Sequence, residues 1–179
     1  MKKIIECVPN ISEGRDERII NACADAVRAV PGVTLLDVDP GKSTNRTVFT
    51  FVGDADSVVE GAFQFAKKAY ELIDMTKHSG EHPRMGAVDV VPFVPVANVT
   101  TEECVECAKR FGERVGKELN VPIYLYEEAS NNPDRKMLKQ IRQGEYEGIK
   151  DKIYKPEWKP DYGPQEFIPK SGATVTGAR

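Results

Sequence analysis

The chain has 179 residues, of which 40% are hydrophobic and 30% charged, and its 25 basic and 28 acidic residues give a net charge of -3. This length suits one domain, and the composition is typical of a globular protein rather than a disordered one. The charge balance does not favour nucleic acid or a membrane surface as a partner, and no stretch of about 18 apolar residues could span a bilayer.

The first residues are charged, and the apolar run that follows is too short for a signal peptide, so we expect a cytosolic protein. Apolar spacing and Gly/Pro punctuation then predict alternating strands and helices, with Ser12 as a possible N-cap of the first helix. In chain order we expect a strand at 2–9, a helix ended by Pro31-Gly32, and strands at 33–39 and 46–52 that form an antiparallel hairpin. A helix from Asp54 or Asp56 to about Ile73 and a strand at 87–96 should follow. The last expected elements are a helix from Thr100 or Thr101 to about Leu119, a strand at 121–126 and a short helix at 134–142.

The first six elements follow the β-α-β-β-α-β order of a split βαβ unit. The predicted fold class is therefore α+β, with a ferredoxin-like mixed β-sheet, helices packed on one face and an extended C-terminal arm. Residues 1–144 would form the α/β subdomain and 145–179 its extended C-terminal segment, because prolines punctuate that segment and no regular period persists. Pro92 and Pro95 favour an edge position or a bulge for the strand at 87–96. The bare sheet face would be covered by another domain, a second copy or a ligand, so a homo-oligomer is expected.

Cys104 and Cys107 have the CxxC spacing of redox and zinc sites. No second pair completes a zinc site, and the spacing falls inside a helical pattern rather than at a strand-to-helix turn. Buried structural thiols are the favoured interpretation, and no metal is expected.

Both histidines of the chain, His78 and His82, lie in the polar loop at 76–86. Their HxxxH spacing would suit a metal on a helix, but Gly80 and Pro83 disfavour a helix here. His82 is instead a candidate acid-base residue, with Glu81 to orient the ring and Arg84 to bind a carboxylate through its fork. The alternative is an exposed polar loop that happens to carry a histidine.

Two further polar clusters could carry function. The first lies between the strands of the hairpin and contains Asp37, Asp39, Lys42, Ser43, Thr44, Asn45 and Arg46. The second spans 163–174, where small residues would allow close approach of a ligand and Phe167 could pack on a flat ring. An ordinary hairpin connection and a linker are the respective alternatives.

Over essentially the whole chain, these segments resemble the N-terminal subdomain of the glutamate formiminotransferase family. The resemblance depends on the order and separation of four motifs: Glu6-Cys7-Val8-Pro9-Asn10 with Ser12-Glu13-Gly14, Leu36-Asp37-Val38-Asp39 with Ser43-Thr44-Asn45-Arg46-Thr47-Val48, Gly80-Glu81-His82-Pro83-Arg84-Met85-Gly86-Ala87-Val88-Asp89, and Gly172-Ala173-Thr174-Val175-Thr176-Gly177-Ala178-Arg179.

The resemblance implies a transferase that moves a formimino group from N-formiminoglutamate to N5 of tetrahydrofolate, which serves as co-substrate. It implies that His82 is the catalytic base. It also implies that a second subdomain completes the folate cleft, so that this half alone would lack full activity. The folate-contacting residues of the family would correspond to Gly163, Pro164, Gln165, Glu166, Phe167, Ile168, Pro169, Lys170, Ser171 and Gly172.

Chemistry suggests roles for the remaining substrate-binding candidates. The amidine of the donor is cationic, so Asp39 would orient it, while Arg46 and Arg84 would bind the glutamate carboxylates of the substrates, with Asn45 nearby. Three alternatives stay open: transfer of a formyl group, a non-catalytic folate-binding or regulatory subunit, and a CxxC redox or metal protein.

Overall fold

The structure is a computed structural model that describes residues 1–179. Its strands are β1 (Ile4–Cys7), β2 (Asn10–Ile11), β3 (Thr34–Gly41), β4 (Arg46–Gly53), β5 (Val90–Ala97), β6 (Ile123–Glu127) and β7 (Thr174–Ala178). Its α-helices are α1 (Glu17–Arg28), α2 (Ala55–Leu72), α3 (Thr101–Glu118), α4 (Leu138–Arg142) and α5 (Glu145–Lys152). Single 3₁₀ turns lie at Met75–Lys77, Pro133–Arg135 and Pro156–Trp158.

All seven strands form one mixed sheet in which β3, β4, β1, β5, β7 and β6 are successive neighbours. The pairs from β3 to β5 are antiparallel, whereas β7 is parallel to both of its neighbours. The short strand β2 continues β1 against β4 in the same register, with Cys7 opposite Phe51 and Asn10 opposite Val48. The order β3-β4-β1-β5 is that of the split βαβ unit, so the predicted ferredoxin-like α+β class is confirmed.

One face of the sheet packs against the three long helices α1, α2 and α3. Alternate strand residues such as Ile5, Phe51 and Phe93 point into this core, as expected for strands buried on one side. Asp54 is the N-cap of α2 and Thr100 that of α3, and each was one of the two caps predicted for its helix. The prediction of Ser12 as a cap is wrong.

The cap of α1 is Asp16, whose carboxylate accepts a hydrogen bond from the Arg18 amide. Ser12 lies four residues earlier in a loop, and its hydroxyl donates to the Gly86 carbonyl over 2.7 Å. The Ser12 hydroxyl thus connects two loops that are 74 residues apart, a contact that the apolar spacing of the first helix could not predict.

Strand β5 lies between β1 and β7 rather than at an edge of the sheet. Pro92 is tolerated because its partner Val8 comes just after β1 ends, where the Val8 amide donates to the Pro92 carbonyl. At Pro95 the strand has no neighbour on the β7 side, since that pairing stops at Phe93. The predicted bulge is present, because the register with β1 shifts at Ile4 and Ile5.

The C-terminal segment is not an extended arm throughout. Residues 145–152 form α5, and residues 174–178 form β7 in the interior of the sheet. Every residue of β7 is buried, so the strand lacks the alternation of buried and exposed positions that marks a strand covered on one face. Helix α5 buries only Ile149, which leaves it a weak amphipathic signal.

Helices α4 and α5 pack on the face opposite the three long helices, so the prediction of helices on one face holds for those three only. Ile141 of α4 and Ile149 of α5 join a second, smaller core with Tyr124, Tyr126 and Val175 of the sheet. This core covers only the β6–β7 end. The remaining part of that face, where strands β4, β1 and β5 run, is left open; we call it the open face.

All four cysteines are buried free thiols, which confirms the expectation for the CxxC pair. Burial raises the pKa of Cys104 to about 11 and that of Cys107 to about 12. A reactive redox pair requires a lowered thiol pKa, so the environment of these residues opposes that role.

Candidate active site on the open face

A cavity of about 320 Å³ lies on the open face. Its apolar lining includes Val8 after β1, Val48 of β4 and Val94 of β5. Its charged lining consists of one carboxylate, Glu127, and three guanidinium groups, those of Arg46, Arg142 and Arg179. The excess of positive charge suits an anionic ligand with some apolar surface.

A second cavity of about 720 Å³ adjoins the first. It is lined by Pro83 and by the α4–α5 connection, and the two cavities share Leu138 and Arg142. Together they form a continuous depression that leads from the sheet to the loop carrying His82.

His82 lines neither cavity, but its ring contacts Arg46, which lines the first, and the backbone of Pro83, which lines the second. Nε2 lies 2.8 Å from Nη1 of Arg46, and Nδ1 lies 2.6 Å from the Pro83 carbonyl oxygen. A guanidinium only donates and a carbonyl only accepts, so Nε2 carries the lone pair and Nδ1 carries the proton. The ring is therefore a neutral imidazole in one defined tautomer.

Its surroundings keep His82 in this neutral form. Burial lowers the pKa of His82, and the positive charges of Arg46 and Arg142 lower it further, whereas the Pro83 carbonyl and Asp89 act in the opposite direction. The net effect is a pKa below the ordinary value of 6.5. A neutral imidazole at physiological pH is the form that a general base requires.

Arg46 is the first residue of β4, which sets its side chain on the open face. Its Nε is buried without a hydrogen-bond partner. Burial is the main cause that lowers the pKa of Arg46, and the charge of Arg142 adds to it. The guanidinium thus has donor capacity that no group of the protein uses.

Asp39 of the edge strand β3 pairs with Val48, one of the cavity residues. Directly paired residues share a face of the sheet, so Asp39 belongs to the open face, where its exposed carboxylate raises the pKa of Arg46. The structure therefore brings three predicted site residues, Asp39, Arg46 and His82, to one region.

Arg84 and Asn45 are placed differently, because both bind other parts of the protein. The fork of Arg84 binds both carboxylate oxygens of Glu147 over 2.8 and 2.9 Å, and its Nε donates to Nδ1 of His78. Asn45 has a left-handed φ of 52°, and its side chain accepts from the Gly14 amide and donates to the Ser79 carbonyl. Neither lines the two cavities, and their roles in substrate binding stay predictions.

Both ring nitrogens of His78 form hydrogen bonds within the protein, so neither is free to contact a ligand. Its Nε2 donates to the Asn45 carbonyl over 3.1 Å while its Nδ1 accepts from Arg84, and burial lowers its pKa. The two histidines thus bind different arginines. Nowhere does the chain gather three or more His, Cys, Asp or Glu side chains in a geometry suited to a metal ion.

The predicted folate-contacting segment, 163–172, runs along the outside of the C-terminal region. Gly163 adopts a left-handed φ of 82° against the Val121 carbonyl, where a side chain would clash. Phe167 packs on the ring of Tyr146, with centroids 5.6 Å apart, and Lys170 donates to the Glu71 carbonyl. No residue of the segment lines the two cavities, so contact with folate stays a prediction.

The sequence did not predict Arg142 and Arg179 of the charged lining, or Asp89, which lies outside the lining and binds Arg142. Asp89 is fully buried, and its two carboxylate oxygens accept from the Met85 amide at 2.6 Å and from Nη2 of Arg142 at 2.5 Å. An aspartate inside an apolar stretch was a readable signal, because a buried carboxylate needs a partner. Arg142 and Arg179 gave no such signal.

Comparison with known proteins identifies relatives over the full length. The family described as the formiminotransferase domain, N-terminal subdomain, matches residues 4–179. The chain is 66% identical over all 179 residues to the formimidoyltransferase-cyclodeaminase of Dictyostelium discoideum, of which it covers 33%. It is 58% identical to the Mus musculus protein of the same name, again covering 33%. It is 50% identical to the glutamate formimidoyltransferase of Streptococcus pyogenes serotype M1, of which it covers 60%. The chain thus spans between a third and three fifths of these relatives.

Proposed function

The chain belongs to the family of formiminotransferase N-terminal subdomains, and from this membership we propose that it is the half of a glutamate formimidoyltransferase that carries the catalytic base. The proposed reaction moves a formimino group from N-formiminoglutamate to N5 of tetrahydrofolate. One observation carries the proposal: a neutral histidine, His82, with a defined tautomer, is hydrogen-bonded to Arg46, which lines a cavity rich in arginine.

In the proposed mechanism Nε2 of His82 is the base. N5 of tetrahydrofolate attacks the amidine carbon of the donor, and its proton passes to Nε2. The bond from that carbon to the glutamate nitrogen then breaks, and the imidazolium returns the proton to the leaving nitrogen. Because Nδ1 keeps its hydrogen bond to the Pro83 carbonyl throughout, the ring orientation is preserved. General acid-base catalysis of this kind contributes about 10²–10⁴ to the rate.

The donor would lie in the open-face cavity. Its glutamate carboxylates would bind the cavity arginines, with Arg142 already held in place by Asp89. Its cationic amidine would point toward Asp39. Alignment of two small molecules beside the base would supply a further part of the rate acceleration.

A second subdomain would complete the site. The open face exposes part of Val8, Val48 and Val94, which is surface of the kind that another subdomain would cover. The greater length of the relatives supports this partner. The folate contacts of 163–172, a cytosolic location and homo-oligomerisation belong to the same proposal.

The test is a transferase assay with N-formiminoglutamate and tetrahydrofolate, on the chain joined to a matching second subdomain. His82→Gln should lower kcat by about 10²–10⁴ while the fold is retained. His78→Gln is the matched control in the same loop and should lower kcat far less. An unchanged kcat in His82→Gln would exclude the proposed base.

Two further arms of the assay address the alternatives. Use of N-formylglutamate in place of the formimino donor tests the formyl variant. Folate binding without transfer from either donor would indicate a binding subunit instead.

A further inference from the structure

The hydrogen bonds of His82 leave no free lone pair. Nδ1 carries the proton that is donated to the Pro83 carbonyl, so it cannot accept another. Nε2 carries the only lone pair of the ring, and Nη1 of Arg46 occupies it at 2.8 Å. A base whose only acceptor site is filled by a guanidinium cannot take a proton from a substrate.

Arg46 is also the group best placed to leave. It lines the open-face cavity, and its Nε is buried and unpartnered, so the guanidinium lacks the full set of bonds that would fix it. No carboxylate of the protein accepts a hydrogen bond from Arg46. By contrast Arg142, the next cation in the cavity, is bound to the buried carboxylate of Asp89. A carboxylate that entered the cavity would offer Arg46 a charged, forked acceptor in place of a neutral ring nitrogen.

We propose that Arg46 masks the catalytic lone pair of His82 until a carboxylate in the open-face cavity draws the guanidinium away. The same side chain would thus bind the anionic substrate and release the base, so that proton transfer begins only when the donor is present. The inference rests on the proposed function in one respect, which is that the carboxylate belongs to a glutamate-type donor.

The charged groups that face His82 come from several elements. Arg46 lies on β4, Arg142 at the end of α4 and Asp89 just before β5, and Glu81 and Arg84 flank His82 in its own loop. Arg46 alone makes a hydrogen bond to the ring. A variant at Arg46 therefore changes the hydrogen bonding of the ring, whereas Arg142 and Asp89 act on it only through their charge.

The first experiment uses the unmodified chain. Imidazole nitrogens of the ¹⁵N-labelled protein are followed by NMR, and acylation of each histidine by diethyl pyrocarbonate is followed by fragment-ion mass spectrometry. His78, whose nitrogens are both occupied by other groups, is the internal reference. L-Glutamate is the probe ligand. We expect it to shift the Nε2 resonance of His82 and to accelerate its acylation, with His78 unchanged.

The second experiment compares two arginine variants without ligand. In Arg46→Met we expect acylation of His82 to rise about tenfold and its pKa to rise, as removal of an adjacent cation requires. L-Glutamate should have no further effect. Arg179→Gln removes another cavity cation that makes no bond to His82, so His82 should behave as in the unmodified chain, with weaker binding of L-glutamate.

Three outcomes would contradict the proposal that Arg46 masks His82. The first is an Arg46→Met chain in which His82 is acylated at the same rate as in the unmodified chain, and the second is slower acylation of His82 in the presence of L-glutamate. The third is no change in the acylation or the Nε2 resonance of His82 at the highest L-glutamate concentration that keeps the chain folded. None of these readouts needs turnover. A working mask in a chain that shows no transfer even when joined to the second subdomain would therefore refute the proposed function alone, and an active enzyme with an unmasked His82 would refute the mask alone.

Discussion

The two faces of the sheet are built from the same strands but serve different purposes. On β4, Phe49 is fully buried under the long helices, while its neighbour Val48 lines the cavity on the open face. The helix-covered face is apolar and closely packed. The cavity on the open face contains Arg46 and Arg142, each with a buried Nε that has no partner. Stability is thus concentrated on one face, and unsatisfied donor capacity is concentrated on the other.

This separation has a physical reason. Buried polar atoms without partners cost free energy, so a protein retains them where a ligand can satisfy them. The helix-covered face can be optimised for packing because it carries none of the candidate chemistry. Substitutions that alter one face at a time test this difference between the two faces.

The largest expected effect is on the helix-covered face. Phe49→Ala removes a fully buried ring that packs on Phe65 with centroids 4.8 Å apart. We expect the free energy of unfolding to fall by about 4 kcal/mol, as is usual for a large-to-small change in a core. Urea denaturation followed by circular dichroism would measure it.

Leu36→Ala is the control for that substitution, since Leu36 lies on the neighbouring strand and is 59% exposed. It should change the free energy of unfolding by less than about 0.5 kcal/mol. Similar losses in both variants would mean that the helix-covered face is not the main source of stability.

The helix-covered face is also the part that the sequence predicts well. The spacing of apolar residues predicted α2 and α3, with Asp54 and Thr100 each one of two candidate caps. The β-branched residues of the strand that begins at Arg46 predicted the second half of the hairpin. These elements could be predicted because they are long and half buried. Strand β7 escaped prediction since it is short and buried on both sides, so only its place in the sheet reveals it.

The site was predicted less completely than the fold. His82 could be proposed because histidine chemistry and a motif both point to it. Its contact with Arg46 spans 36 residues and depends on how a loop folds over the start of β4. Asp89 and Arg142 are 53 residues apart, and no local pattern relates them. Long-range ion pairs of this kind become visible only in three dimensions.

The next largest effect should arise at the margin of the open face. Asp89→Asn retains an acceptor for the Met85 amide but leaves Arg142 without its charged partner. Loss of one member of a buried ion pair is expected to lower the free energy of unfolding by about 3 kcal/mol. Urea denaturation would measure the loss.

Asp37→Asn, which alters an exposed carboxylate on β3, serves as the control and should be nearly neutral. A neutral Asp89→Asn variant would show that the ion pair does not hold α4 against the sheet.

A smaller effect should appear when pH is lowered. Burial lowers the pKa of both His78 and His82 below their ordinary value, so the unfolded chain binds more protons than the folded one at mildly acidic pH. Stability should therefore be complete above about pH 6.5 and decline as pH falls toward and through the folded pKa values. Denaturation midpoints between about pH 7.5 and pH 5 would show the decline.

His78→Gln and His82→Gln should each remove part of this pH dependence, and the double variant should remove more than either one. Carboxylates with lowered pKa values, such as Glu147 beside Arg84, titrate at lower pH and supply a separate decline. A pH dependence that is unchanged in the double variant would contradict the assignment to the histidines.

Apart from the control variants, the smallest expected effect on stability is at Val48, which the open face leaves partly exposed. Val48→Ala should lower the free energy of unfolding by less than about 1 kcal/mol, far below the cost at the adjacent Phe49, because much of the side chain is already in contact with solvent. If the proposed second subdomain covers this face, the same substitution should weaken its association with the chain, measured by isothermal titration calorimetry. A weak effect on folding joined to a clear effect on association would show that the open face is a surface for another subdomain. An equal, small effect in both measurements would place that subdomain elsewhere.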